Sequence, residues 1–162
     1  MAEMRKLVGH RTVIQCAASV ICVDGAGRIL LGKRTDDHKW GYSGGSVEID
    51  EYVEDCAKRE LYEEMGLTAE ELEFFFVNSG PGTHYVYPNG DEVSSFEIVY
   101  ICRRWSGEPQ AVDGEMEELR FFSLDEIDLS GIHPPIRRVV ERYIKKCQIE
   151  LFSRKQTDNE RS

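Results

Sequence analysis

The order of apolar and polar positions divides the chain into short segments of two periods. Thr12 to Val23 is an almost unbroken apolar run rich in Val, Ile and Cys, the pattern of a strand buried on both faces. Asp24-Gly25-Ala26-Gly27 predicts a turn, with Arg28 to Arg34 (RILLGKR) returning as the hairpin partner. A polar, glycine-rich loop follows from Thr35 to Gly45; it holds Trp40, read as a structural plug beneath the loop, and the pair Gly44-Gly45. Asp50 is the expected N-cap of a helix that ends at Met65, where Gly66 supplies a left-handed stop and Leu67 the hydrophobic contact beyond it. Strands are predicted over Glu73 to Asn78, Tyr85 to Tyr87, Val93 to Trp105 and Glu118 to Ser123, with Asn89-Gly90 as a hairpin turn. Pro134-Pro135 opens a last helix, Ile136 to Phe152, with Ile136, Val139, Val140, Tyr143, Ile144 and Cys147 as its apolar stripe. Residues 153–162 (SRKQTDNERS) contain no apolar side chain and are expected to form a disordered tail. With no repeat and no linker, residues 1–152 read as one domain, an α/β sandwich around a mixed β-sheet.

Composition narrows the class. Apolar residues at 41% and charged residues at 31% exclude wholesale disorder, a collagen-like repeat and a coiled coil. No apolar run approaches the ~20 residues that span a bilayer, and the opening MAEMRKLVGHRTV lacks the apolar core and cleavage site of a secretory signal. Cys16, Cys22, Cys56, Cys102 and Cys147 are odd in number, lack CxxC spacing and sit among apolar neighbours. They read as reduced, buried thiols, against zinc and against an oxidising compartment. A soluble, cytoplasmic domain with no membrane partner is the expectation.

Charge is concentrated in one place. Residues 1–44 carry 7 basic and 4 acidic side chains, and residues 45–75 carry 2 and 11. The overall net charge of −10 repels nucleic-acid polymers and anionic membranes. A local knot of carboxylates instead attracts multivalent cations.

Within the helix that carries this knot, a 100° step per residue places Val53, Ala57, Leu61 and Cys56 on one face. Glu60 and Glu64 fall inside that apolar face, Glu63 on its margin, and Asp55, Lys58 and Tyr62 on the opposite side. A merely solvated acidic face would put its glutamates outward. Two carboxylates one turn apart and aimed at the body of the protein repel each other and lose hydration. They are then protonated, paired with arginine, or bound to a metal, and Arg59 points too far aside to compensate both.

Residues 45–67 read GSVEIDEYVEDCAKRELYEEMGL. This segment resembles the Nudix box, G-x5-E-x7-R-E-U-x-E-E-x-G-U, with Gly45, Glu51, Arg59, Glu60, Leu61, Glu63, Glu64, Gly66 and Leu67 at all nine defined positions. The likeness extends to the preceding strand pair, the Trp-containing loop and the later acidic segment ending EELRFF; Ser43 stands where the family often has Pro. The resemblance to the MutT-like Nudix hydrolases implies an α/β/α sandwich and cleavage of a phosphoanhydride bond in a nucleoside diphosphate linked to another moiety. ADP-ribose, nucleotide sugars, nucleoside triphosphates and dinucleoside polyphosphates all remain open as substrates. It further implies Mg²⁺ or Mn²⁺ held by Glu60, Glu63 and Glu64 with the Gly44 carbonyl, and catalysis by Glu60, Glu63, Glu64 and Arg59, Arg59 anchoring Glu51. An additional acidic ligand is expected from the loop Asp113 to Glu118, with Glu115 chosen and Glu118 as the alternative.

Arg34 and Gly45 are the expected substrate-binding residues; Lys39 reads as a solvated lysine, and His38 and His84 as bystanders. Tyr85 and Tyr87, two apart on one strand face, suit core packing better than base stacking. Among rival readings, a non-catalytic nucleotide-binding sensor would have a degraded box or an attached DNA-binding module. An isopentenyl-diphosphate isomerase would need a catalytic cysteine in a polar loop, and an mRNA decapping role conflicts with the net charge. A homodimer is common in the family, but no interface is legible.

Overall fold

A computed structural model describes residues 2–160. A first helix, α1 (Ala2–Val8), is not anticipated by the sequence pattern; Arg5 ties it down by donating to the carbonyls of Gly9, Arg11 and Glu92. The strands β1 (Val13–Cys22), β2 (Ile29–Arg34), β3 (Trp40–Gly41) and β4 (Ser43–Ser46) lead to α2 (Val53–Met65). Then come β5 (Thr68–Ala69), β6 (Glu73–Asn78), β7 (His84–Val86), β8 (Glu92–Cys102), β9 (Trp105–Ser106), β10 (Met116–Phe122) and α3 (Arg137–Glu160).

The main sheet runs β4-β1-β8-β6, with β7 also paired to β8. β1 and β8 are parallel while the other pairs are antiparallel, so the sheet is mixed as expected. From Ala18 onward β1 has both faces covered, which is why that part of its sequence reads as a continuous apolar run. Ala18, Val20 and Cys22 pack with Cys56, Ala57 and Leu61 of α2, whereas Ile21 packs with Val139, Val140 and Tyr143 of α3. The result is the α/β/α sandwich.

The predicted β1–β2 hairpin opens almost at once. The two strands meet only at the bridge Val23–Ile29, and β2 then joins a second sheet ordered β10-β2-β3. The reason is edge occupancy: β1 already has β4 on one side and β8 on the other, so no ladder position is left for β2.

α2 starts later than predicted. Asp50 is not its N-cap but a left-handed residue at φ 62°, and Tyr52 precedes the first turn without a side-chain cap. The Glu51 carboxylate accepts from Arg59 and from the Glu48 amide, which holds the approach loop out of helical geometry. The stop is as read: Gly66 is left-handed at φ 70°, its N–H bonds Tyr62 O, and Leu67 is fully buried.

α3 continues to Glu160, beyond the predicted end at Phe152. Residues 153–160 contain no Gly or Pro to stop it, and Arg, Lys, Gln and Glu favour helix, so a polar segment expected as a tail is helical; residues 161–162 lie outside the described residues. Cys22, Cys56 and Cys102 are buried, but Cys16 is exposed because α2 does not reach that end of β1.

Candidate active site

β4 brings the glycine pair against both β1 and α2. Ser19 pairs with Gly44 and Ala18 with Gly45 across the β1–β4 ladder. A Cβ on Gly44 would lie 1.9 Å from Ser19 Oγ, and one on Gly45 would lie 2.4 Å from the Glu60 carboxyl. Only glycine lets the strand backbone approach the helix carboxylates this closely.

Arg59 organises the outer carboxylates. Its Nε and Nη2 donate to Glu51 at 2.7 and 3.0 Å, while Nη1 donates to Glu60 at 2.6 Å and Glu63 at 3.0 Å. Hydrogen bonding from Arg59 holds the Glu51 carboxyl down at about 2. Glu60 moves the other way: burial raises its pKa, Arg59 opposes this, and the charges of Glu63 and Glu115 add to the rise.

Arg59 does not reach Glu64, the most buried member of the set at 2% exposure. Burial pushes the Glu64 carboxyl up to about 8, with the charges of Glu115 and Glu60 adding to it. The Ser43 hydroxyl and the Gly44 N–H, which donates at 3.0 Å, favour its ionised form. The position inside the apolar helix face therefore produces a carboxyl whose protonation changes near neutrality and whose ionised form lacks a cationic neighbour.

In front of the glycine strand lies a cleft of about 1100 Å³. Glu60, Glu115, Arg34, Gly44 and Gly45 all line it, so five sequence-predicted residues share one cavity. Of the two acidic alternatives, Glu115 lines the cleft and Glu118 is not among its lining residues. Glu63 is exposed and turned onto Arg59. Among the described residues, no three Asp, Glu, His or Cys side chains converge as a ready-made metal site.

Arg34 stands less free than the sequence suggested. Asp36 accepts from it twice, at 2.8 and 2.6 Å, and Asp37 lies 3.8 Å away. Burial disfavours its charge, but the two carboxylates more than offset that and raise its pKa. Lys39 turns away to Ser130 O at 3.1 Å, while His38 and His84 pair with Glu117 and Glu92 on the surface. Tyr85 and Tyr87 meet edge-on at 5.1 Å, and Tyr87 also lines the cleft.

One buried acid escaped the sequence reading. Glu97 of β8 is 6% exposed and accepts from Ser19 Oγ at 2.5 Å, Asn78 Nδ2 at 2.9 Å and Tyr42 Oη at 3.3 Å. Burial raises its pKa while those three donors counter it. Its signal was present: Glu97 is the one charge among apolar and small residues in SSFEIVYIC.

The family model for the NUDIX domain matches residues 14–143. The chain is 32% identical over 113 residues to the "NAD-capped RNA hydrolase NudC" of Chromobacterium violaceum, covering 68% of this chain and 38% of that protein. It is 37% identical over 62 residues to the "RNA pyrophosphohydrolase" of Teredinibacter turnerae, covering 38% and 36%. The chain thus spans under two fifths of the length of these two relatives. With the "Oxidized purine nucleoside triphosphate hydrolase" of Danio rerio it is 30% identical over 117 residues, covering 69% of each. The crystal structure of a MutT NUDIX hydrolase from Burkholderia pseudomallei superposes with TM-score 0.65 at 29% identity, over 80% of this chain and 97% of that one. The matched stretch runs from β1 into α3 and takes in every element that walls the cleft, and on that ground this chain belongs to the NUDIX family.

Proposed function

We propose that this chain is a divalent-metal-dependent hydrolase that cuts a phosphoanhydride bond in a nucleoside diphosphate linked to another moiety. The observation that carries the reading is Glu64: a carboxyl buried beside the glycine strand, with Glu60 and Glu115 acting on it and no arginine in reach. The donor set consists of hard carboxylate oxygens with a backbone carbonyl, which suits Mg²⁺ or Mn²⁺. Glu60, Glu63, Glu64, Glu115 and the Gly44 carbonyl are the groups that would hold the cation. When bound, it neutralises diphosphate oxygens and acidifies water.

The remaining work falls to the protein. Arg59 holds both Glu60, which lines the cleft, and Glu63, which does not, and recruiting Glu63 requires release of its 3.0 Å contact. Glu60, half-buried and with a raised pKa, would accept a proton from the attacking water. Gly45 leaves the space that the Glu60 carboxyl occupies. The names of the relatives, which span a capped RNA, an RNA and oxidised triphosphates, support a nucleotide phosphoanhydride without selecting one.

The test is a product-identified hydrolysis screen at millimolar Mg²⁺ and, separately, Mn²⁺. It covers ADP-ribose, nucleotide sugars, triphosphates including oxidised ones, and diadenosine polyphosphates. Metal-dependent turnover abolished reversibly by EDTA is the expected result. A folded protein that binds nucleotide and cuts none with either metal would establish the sensor reading instead.

A further inference from the structure

We infer that Cys22 and Cys102 form a dithiol that a peroxide oxidises, a modification site outside the cleft that closes to a disulfide between the two central strands.

Register brings the two sulfurs together. Cys22 and Cys102 are Cα partners at the last position of the parallel β1–β8 ladder. Paired residues point to the same face, and both thiols enter the apolar cluster with Leu61, Met65 and Leu67. Adjacent strands lie about 4.8 Å apart, within the roughly 4.4–6.8 Å over which a disulfide joins two Cα atoms. Cys16 stands opposite Phe96 instead, while Cys56 and Cys147 lie on separate helices.

Their surroundings give the two thiols different roles. The hydrogen bond from Cys22 and the backbone N–H groups of Arg104, Glu71 and Glu70 favour charge on Cys102, holding it down at about 7 against the effect of burial. In its neutral form Cys102 donates to Arg104 O at 3.1 Å. Cys22 is raised by the same hydrogen bond and by burial, so it keeps its proton as the donor. Cys102 is therefore the nucleophile and Cys22 the resolving thiol. Cys56 is as deeply buried but has no thiol beside it. Burial and the charge of Glu51 push it up to about 12, and its sulfur faces the carbonyls of Gly45 and Ser46 at 3.7 and 3.5 Å.

Cys22 is 1% and Cys102 0% exposed, so an oxidant reaches them when their cover opens. That cover is the two-residue ladder β5–β9, with Ala69 and Trp105 packed on the same cluster and Glu70, Glu71, Arg103 and Arg104 exposed around it. So short a ladder opens at far lower cost than the core.

The oxidant is a peroxide. The Cys102 thiolate attacks one peroxide oxygen: an S–O bond forms, the O–O bond breaks, and the departing hydroxide takes up a proton as water, leaving a sulfenic acid. Cys22 gives up its proton as its sulfur attacks Cys102. The S–S bond forms, and the sulfenic hydroxyl leaves with that proton as a second water. The two sulfurs lose two electrons and the peroxide gains them.

The experiment treats the Cys16→Ser chain, which lacks the exposed competitor, with hydrogen peroxide at about pH 8, alkylates it in denaturant and maps its peptides without reduction. A loss of about 2 Da in one species linking the Cys22 and Cys102 peptides is expected, reversed by dithiothreitol, with Cys56 alkylated in full. Dimedone should label Cys102 in the Cys22→Ala variant and leave Cys22 unlabelled in Cys102→Ala; where either fails to fold, the peptide map of the intact pair decides alone. The inference is overturned if both thiols stay alkylatable at a peroxide dose that oxidises Cys16 of the native chain. Linkage to Cys56 or Cys147 instead, or dimedone on Cys22 rather than Cys102, would overturn it too.

Discussion

Two buried glutamates lie on either side of the glycine strand, and their surroundings differ in one respect. Glu97 is enclosed by neutral donors from Ser19, Asn78 and Tyr42, each belonging to a different segment. Glu64 has the Gly44 amide, with other carboxylates acting on it. A buried carboxyl whose lone pairs are answered from several elements acts as a cross-brace. A buried carboxyl whose neighbours are mostly acidic leaves a demand for positive charge, and the cleft is the side from which a cation can arrive.

The largest separation between the two should come from amide substitution. Glu64→Gln is expected to lower kcat by on the order of 10²–10⁴-fold while the metal-free thermal midpoint holds or rises, because the amide is neutral in both folded and unfolded chains and avoids the cost of protonating a buried carboxyl. Glu63→Gln should reduce kcat comparably without a stability change, Glu63 being exposed. Near-native turnover in either variant would break the assignment.

Glu97→Ala should show the reverse. Stranding the Ser19, Asn78 and Tyr42 donors is expected to cost about 1–3 kcal/mol in denaturant unfolding. Its kcat should change by less than about tenfold.

Protonation sharpens the contrast further. The folded pKa of Glu64, about 8, lies above its ordinary 4.5, so the folded state holds the extra proton. That contribution to stability is complete below about pH 4.5 and is lost as pH rises through 8. His133, lowered from 6.5 by burial, works oppositely at lower pH, and Cys102, lowered to about 7 by its hydrogen bond with Cys22, works oppositely above it. Glu64 is therefore read from the difference between the native chain and Glu64→Gln over pH 6.5 to 8. In EDTA the stability of the native chain relative to Glu64→Gln should fall as pH rises across that window, and Mg²⁺ should stabilise the native chain most at its alkaline end. At the acid end Glu51 behaves conversely: its pKa of about 2 means stability present above 4.5 is lost as pH falls toward 2.

Gly45→Ala should have a small effect on both stability and turnover. Its Cβ would meet the movable end of the Glu60 side chain, so unfolding should shift by under about 1 kcal/mol. Turnover should fall by no more than roughly tenfold, as Glu60 leaves its place.

Much of the site was legible because helical periodicity is local. The 100° step located Glu64 inside the apolar face, and the structure buries it there. Gly66 announced the helix end through its own backbone freedom. Asp50 misled because a good capping residue also tolerates a left-handed turn, and the Glu51–Arg59 contact selected the turn. Arg34 was legible only in part: it lines the cleft, but its pairing with Asp36 and Asp37 depends on how the loop folds back, which residue type alone does not specify.

By itself the sequence determined the α/β alternation, the start and stop of most strands, the acidic helix and the spacing of its glutamates, since each follows from side-chain period and local backbone preference. Only the tertiary structure decided that β2 leaves β1, that Ser19 and Glu97 underpin Gly44, and that α2 ends short of Ile14 and Cys16 to leave an apolar wall in an acidic cleft. Those features depend on which edges and faces are already occupied when distant segments meet, and occupancy is a property of the packed whole rather than of any segment.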